Sequence, residues 1–140
     1  MDDRQVQDGL VWLAYALGDM EAARSQPGRG VRPRIVANLA QQAAEKALKA
    51  ALVLDGTDPP RVHDLDDLRN RLAPRWRLKR RFPDLARLSR YASESRYPDD
   101  IEPVTPIQSA TAVRQAAAIV RSIREDFDRS GIPTARIEPR

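Results

Sequence analysis

Apolar residues recur at spacings of three and four along most of this chain, and no segment keeps the alternation of apolar and polar positions that is typical of a strand. The spacing predicts a first helix from about Arg4 to Arg24. Its apolar stripe consists of Val6, Leu10, Leu13, Leu17 and Met20. Pro27 and the glycines after it end this helix. Pro33 can begin the next helix, because proline is tolerated in a first turn.

The second predicted helix, about residues 33–54, has an apolar and a polar face. The apolar face contains Val36, Leu39, Ala40, Ala43, Ala44, Ala47, Leu48 and Ala51. The polar face contains Asn38, Gln41, Gln42, Glu45, Lys46 and Lys49. This face is either a solvated surface with an ordinary i, i+4 ion pair between Glu45 and Lys49, or the lining of a dimer or ligand groove. The amides of the two glutamines fit a groove better, because they offer donors and acceptors.

Two further helices are predicted before the next long loop. Asp64 is the expected N-cap of a short helix that ends near residue 72, because its carboxylate can accept a backbone N–H of the first turn. A fourth helix is expected over about residues 83–95, with Leu85, Leu88 and Ala92 on its apolar side.

The last helix follows a proline-containing loop over residues 97–106, with Thr105 as its N-cap, and spans about residues 106–128. Four long helices and one short helix predict an all-α protein, an up-and-down bundle that occupies residues 1–128. Residues 129–140 contain a glycine and two prolines and are expected to form a poorly packed tail.

The composition narrows the class of protein. A chain of 140 residues without cysteine predicts a single domain with one core. A lone histidine argues against a zinc site, since catalytic zinc takes three protein ligands, and no metal or cofactor is expected. No signal peptide is recognisable, and no apolar run approaches the ~20 residues of a membrane span. We therefore expect a cytoplasmic protein that does not contact the membrane.

The charge of the chain is unevenly distributed. Its formal net charge is +4, but residues 69–96 hold ten basic residues and two acidic ones, which is +8 and leaves −4 elsewhere. A concentrated positive field attracts polyanions. The densest stretch supplies the candidate nucleic-acid-binding residues Arg75, Trp76, Arg77, Lys79, Arg80 and Arg81. Either these arginines bind phosphate while the tryptophan stacks on a base, or the stretch is a solvated linker whose tryptophan enters the core.

Three segments together resemble the HEPN domain family: the run of residues 41–50 (QQAAEKALKA), the turn His63-Asp64-Leu65, and the tetrapeptide Arg96-Tyr97-Pro98-Asp99. The resemblance extends over nearly the whole chain. It implies a small helical unit, dimeric in similar family members. It also implies an association with nucleotide binding, with minimal nucleotidyltransferase partners in toxin–antitoxin-like pairs and, in many branches, with RNA cleavage.

The ribonuclease motif of the family is missing. Catalytic branches carry an arginine, then four to six residues, then a histidine, which can move a proton near neutral pH while the arginine binds phosphate. His63 is the only histidine, and the nearest preceding arginine is Arg61, two residues away. The last predicted helix offers arginines but no histidine. No catalytic residue is therefore assigned.

Two roles are open for the residues that carry the resemblance. His63 either packs in its turn against a backbone or carboxylate partner, or lines a nucleotide or partner site. Arg96 and Tyr97 either end the fourth helix, or face a phosphate and a base. The candidate nucleotide- or partner-binding set is Gln41, Gln42, Glu45, Lys46, His63, Arg96 and Tyr97.

Three functions follow from this sequence. The favoured one is a noncatalytic HEPN dimer that binds nucleotide or RNA, or pairs with a minimal nucleotidyltransferase in a toxin–antitoxin-like system. The second is a ribonuclease toxin with a non-standard active site built from arginines and His63. The third is a structural interaction bundle whose basic segment binds an acidic protein.

Overall fold

The computed structural model describes residues 1–25, 30–92 and 103–140, and these residues form six helices and no strand. The helices are α1 (Asp3–Ser25), α2 (Pro33–Leu54), α3 (Leu65–Arg71), α4 (Leu78–Arg81), α5 (Ala86–Ser89) and α6 (Pro106–Arg129). The prediction of an all-α helical bundle is confirmed.

The helix ends follow the predicted signals. Pro33 lies in the first turn of α2. The carboxylate of Asp64 accepts the backbone N–H groups of Asp66 and Asp67 at the start of α3. Thr105 caps α6 in a reciprocal capping box with Gln108. Each arrangement satisfies or removes a backbone donor that a helix start would leave without a partner.

The core is built around α2, which packs against both α1 and α6. Seven alanines of α2 have no exposed surface; they are Ala37, Ala40, Ala43, Ala44, Ala47, Ala50 and Ala51. Side chains this small let two long helices approach the same helix closely. Larger side chains from both partners fill the space between them, with Leu13 of α1 and Ile119 and Phe127 of α6 fully buried.

The segment between α2 and α6 differs from the prediction. A long fourth helix over residues 83–95 was expected, but within residues 83–92 only Ala86–Ser89 is helical, and a further short helix, α4, precedes it. Leu78, Leu85 and Leu88 are buried in the core from these short elements. Pro74 and Pro83 interrupt backbone hydrogen bonding. The bundle therefore has three long helices and, in the described residues, three short ones.

The expectation of a poorly packed tail is wrong. Ile132 is 7% exposed and Thr134 is 1% exposed. Thr134 donates from its backbone N–H and its hydroxyl to Asp128 Oδ1, at 2.8 and 2.9 Å, and its carbonyl accepts from Arg124 at 2.9 Å. The backbone N–H of Arg140 donates to the carbonyl of Ala14. The tail is therefore held against α1 and α6, because its glycine and prolines turn it back onto the bundle.

Candidate functional site

The polar face of α2 is largely buried. Gln41, Glu45 and Lys49 are 1%, 8% and 6% exposed, respectively. These residues lie one turn apart on one side of the helix, and the loop that precedes α3 covers them through His63. Of the two alternatives for this face, a solvated surface is therefore excluded.

The carboxylate of Glu45 is the centre of this buried cluster. It accepts hydrogen bonds from His63 Nδ1 at 2.8 Å, Lys49 Nζ at 3.2 Å and Gln41 Nε2 at 3.2 Å. The amide of Gln41 also donates to the backbone carbonyl of His63 at 3.1 Å. A carboxylate has room for several donors, and a buried one needs them. We call Gln41, Glu45, Lys49 and His63 the Glu45 cluster.

The remaining polar side chains of α2 also have partners within the chain. Asn38 donates to the backbone carbonyl of Tyr91 at 2.7 Å and accepts from the amide of Gln42 at 2.6 Å. Lys46 forms an ion pair with Asp19 of α1, with Nζ 2.6 Å from Oδ2. These contacts join α2 to α1 and to the residue two positions after α5. Gln42 and Lys46 are therefore half-buried, and their side chains are already bound within the chain.

A shallow cleft lies beside the Glu45 cluster. It has a volume of about 290 Å³ and is lined by His63, Asp64, Asp66, Ala86, Ser89, Arg90 and Ala92. The His63 side chain is 42% exposed here, although its Nδ1 is fixed by Glu45. We call this depression the His63 cleft.

The charged groups of the His63 cleft differ in how they are paired. The carboxylate of Asp64 accepts the first backbone donors of α3, and that of Asp66 accepts from Arg69 and from the backbone N–H of Leu85. The guanidinium group of Arg90 has no hydrogen-bond or ion-pair partner in residues 1–25, 30–92 and 103–140. The hydrogen-bonding capacity of the two carboxylates is therefore used within the chain, whereas the guanidinium of Arg90 is available to a ligand.

Of the two alternatives for Trp76, the structure supports entry into the core and not base stacking. Trp76 has no exposed surface, its indole Nε1 donates to Asp55 Oδ2 at 2.7 Å, and its ring lies 6.0 Å from that of Phe127. The guanidinium of Arg75 covers it at 4.4 Å from the ring centroid. A base cannot reach a ring that is enclosed in this way.

Most of the basic side chains near Trp76 are bound within the molecule. Arg75 pairs with Asp55 at 2.6 Å, and Lys79 donates to the carbonyl of Leu72 at 2.6 Å. Arg77 Nε lies 3.8 Å from Asp126 Oδ1, and Arg81 Nη1 lies 3.3 Å from Glu125 Oε2. Among the six predicted nucleic-acid-binding residues, Arg80 alone has no side-chain partner in the described part of the chain. The segment is therefore held in place by carboxylates of α6 and by Asp55, the residue after α2.

Some site residues lie outside this description. Arg96 and Tyr97 belong to residues 93–102, which the structure does not describe. The sequence interpretation also missed residues that the structure brings in. Arg90 entered only the charge count of its segment, and Asp19 and Asp55 were not singled out. Asp19 and Asp55 pair with Lys46 and Arg75, which are distant in sequence, and such a pairing leaves no signal in local spacing.

Within the described ranges no group of three or more histidine, cysteine, aspartate or glutamate side chains could hold a metal ion. None of the helices in those ranges is both long enough and apolar enough to cross a bilayer.

Fold and site together define a small helical module with a buried polar cluster on its central helix and, beside that cluster, a cleft lined by an arginine that is unpaired in the described residues. The sequence model of the HEPN domain matches residues 10–127. The chain therefore belongs to the HEPN domain family. Comparisons with curated proteins and with solved structures gave no significant match.

Proposed function

We propose that this HEPN domain is a noncatalytic module that binds a phosphate group of nucleotide or RNA in the His63 cleft. The observation that carries the proposal is the availability of the Arg90 guanidinium in that cleft. Its carboxylates, Asp64 and Asp66, are occupied by internal donors, whereas the guanidinium of Arg90 faces the cleft without a partner in the described residues. An arginine that lacks an internal carboxylate can fork onto phosphate oxygens.

The noncatalytic part of the proposal is supported by the surroundings of His63. No arginine stands four to six residues before this histidine, and α6 contains no histidine. In the structure His63 takes part in the Glu45 cluster, where its ring nitrogen and its carbonyl both hold the loop against α2. That arrangement gives His63 a structural role, because it fixes the loop before α3 to α2.

The binding experiment compares Arg90→Ala with Arg87→Ala. Both arginines are exposed and lie in or next to α5, but only Arg90 lines the cleft. With fluorescently labelled 5′-phosphorylated RNA and labelled ATP as probes, we expect Arg90→Ala to weaken binding about tenfold, because a hydrogen bond to a charged group contributes about 1.5 kcal/mol or more. Arg87→Ala should bind like the wild type. Equal affinity of the two variants would remove the cleft from the proposal.

A second candidate function, RNA cleavage with a non-standard active site, is favoured by one observation. A carboxylate that fixes Nδ1 of a half-exposed histidine, next to an arginine, is an arrangement that acid–base chemistry can use. Cleavage of the RNA probe that is lost in His63→Ala, in a variant that remains folded, would establish this function instead.

The location, oligomeric state and partner protein of the chain are also part of the proposal. We infer a cytoplasmic homodimer that pairs with a minimal nucleotidyltransferase in a toxin–antitoxin-like system. Family membership supports the pairing as a setting for such modules. Copurification of the chain with a nucleotidyltransferase encoded beside its gene, and the mass of the purified protein in solution, test the two parts separately.

A further inference from the structure

A second concave surface lies at the end of the bundle where α1 ends and where α2 and α6 begin. It has a volume of about 420 Å³ and is mostly apolar, with Val31, Val36, Ala110 and Val113 in its lining. We call it the arginine-rimmed groove. It is separate from the His63 cleft, with which it shares no lining residue.

The rim of this groove is positively charged. Arg24 and Arg114 line it, and both are exposed. Arg24 has no side-chain partner in the described ranges, and the only one of Arg114 there is the neutral hydroxyl of Thr111. No carboxylate appears among its described lining residues.

The helix ends add to this positive field. Neither α2 nor α6 has an acidic residue in its first turn, and α2 begins with the exposed residues Arg32 and Arg34 on either side of Pro33. The amino-terminal end of a helix carries a partial positive charge that acidic groups stabilise. Here neither first turn supplies that complementary charge.

An exposed apolar side chain lies on the face of α6 that contributes to the groove. Ile107 is 79% exposed and, by its spacing of three and seven residues, shares a face of α6 with Ala110 and Arg114. It is the most exposed of the large apolar side chains in the described residues. Apolar and cationic side chains thus share one face of α6.

We propose that the arginine-rimmed groove binds an acidic amphipathic helix of a partner protein. The apolar side chains of such a helix would enter the groove, and its carboxylates would pair with the arginines at the rim. This proposal deepens the partner-pairing part of the proposed function, and it rests on that part only in requiring a partner protein.

Other occupants fit less well. A second copy of this chain in a two-fold contact would bring the same arginines of both copies together, and like charges repel. A nucleic-acid strand would find no stacking platform, because none of the described lining residues is aromatic. The concave apolar lining also suits inserted side chains better than the flat surface of a membrane.

The test uses the full chain and three labelled helical peptides of equal length. The first has a leucine stripe and a glutamate face, the second has lysine in place of glutamate, and the third has serine in place of leucine. Fluorescence anisotropy should show the first peptide binding at least about tenfold more tightly than either of the others, and binding should weaken with added salt. Failure of the first peptide to bind, or equal binding of all three, would overturn the proposal.

Variants locate the binding surface. Arg24→Glu with Arg114→Glu should reverse the preference from the glutamate peptide to the lysine peptide, and Ile107→Ser should weaken binding of both. Arg87→Glu, an exposed reversal on α5, is the matched control and should change nothing. If the double reversal instead dissociates a dimer of the chain, or releases it from anionic phospholipid vesicles while peptide binding is unaffected, the proposal is overturned.

The outcome is separable from that of the proposed function. Arg90→Ala should leave peptide binding intact while it weakens binding of the RNA probe. The double reversal should keep the binding of ATP at the His63 cleft. Loss of both activities in both variants would contradict the assignment of two distinct surfaces.

Discussion

Glu45 accepts hydrogen bonds from a lysine, a histidine and a glutamine while it is 8% exposed. In the sequence alone, Glu45 looks like an ordinary charged residue with a lysine four positions later. On an exposed helix that pair would contribute about 0.3 to 0.5 kcal/mol. In the Glu45 cluster, removal of the carboxylate costs more free energy of unfolding, because Lys49 is then buried without its counter-charge.

At this residue scale, Glu45→Ala should lower the free energy of unfolding by about 3 kcal/mol, the cost typical of breaking a buried ion pair. Urea denaturation followed by circular dichroism measures the change. Glu21→Ala, at an exposed position of α1, is the control and should lie within about 0.5 kcal/mol of the wild type. A Glu45→Ala protein as stable as this control would show that the cluster does not stabilise the fold.

Trp76 gives a second prediction at the residue scale. Its ring is enclosed by Phe127 and Arg75, and its N–H is bound to Asp55. In a Trp12→Phe variant, where Trp76 is the remaining tryptophan, fluorescence should be poorly quenched by acrylamide and unchanged when RNA is added. Strong quenching, or a spectral shift with RNA, would show that the ring is accessible and would restore the stacking role.

At the scale of elements, helix starts were predictable because their signals are local. Pro33, Asp64 and Thr105 each begin or cap the helix that the sequence assigns to them. The segment between α3 and α6 was not predictable to the same degree. Whether Leu85 and Leu88 belong to a long helix or to short turns depends on contacts with the core, which local spacing does not contain.

The tail belongs to the same scale. It packs closely enough against α1 that a Cβ atom at Gly18 would lie 1.7 Å from the carbonyl oxygen of Arg140. Glycine is therefore required at this crossing for the backbones to approach. The glycine and prolines after α6 are typical of a poorly packed tail, but here they accompany a turn that returns the chain to the bundle.

Removal of residues 131–140 should lower the free energy of unfolding by at least about 2 kcal/mol, since a buried isoleucine alone contributes 1.5 to 3 kcal/mol. Thermal denaturation measures the loss. Glu138→Ala, an exposed change within the tail, should leave the melting temperature unaltered. A truncated chain that melts with the full chain would indicate that the tail contributes no stability.

At the scale of the whole molecule, the charge asymmetry of the sequence is largely compensated by folding. The basic stretch around Trp76 meets Asp55 after α2 and Glu125 and Asp126 of α6. The fold class and most of the helices could be predicted from periodicity and punctuation, because those are properties of neighbouring residues. Which cations stay unpaired could not be predicted, because the carboxylates that pair with the others lie up to 49 residues away in sequence, as Asp126 does from Arg77. The candidate binding residues are therefore Arg90 and the arginines of the arginine-rimmed groove, since most cations around Trp76 are paired within the chain.

The central claim is that this HEPN domain binds phosphate-bearing ligands without cutting RNA. The most direct test incubates the purified chain with 5′-phosphorylated RNA of mixed sequence and measures filter retention and cleavage together, beside His63→Ala and Arg90→Ala. We predict that the wild type retains intact RNA and that Arg90→Ala retains about tenfold less. Cleavage by the wild type that disappears in a folded His63→Ala protein would contradict the claim and identify a ribonuclease.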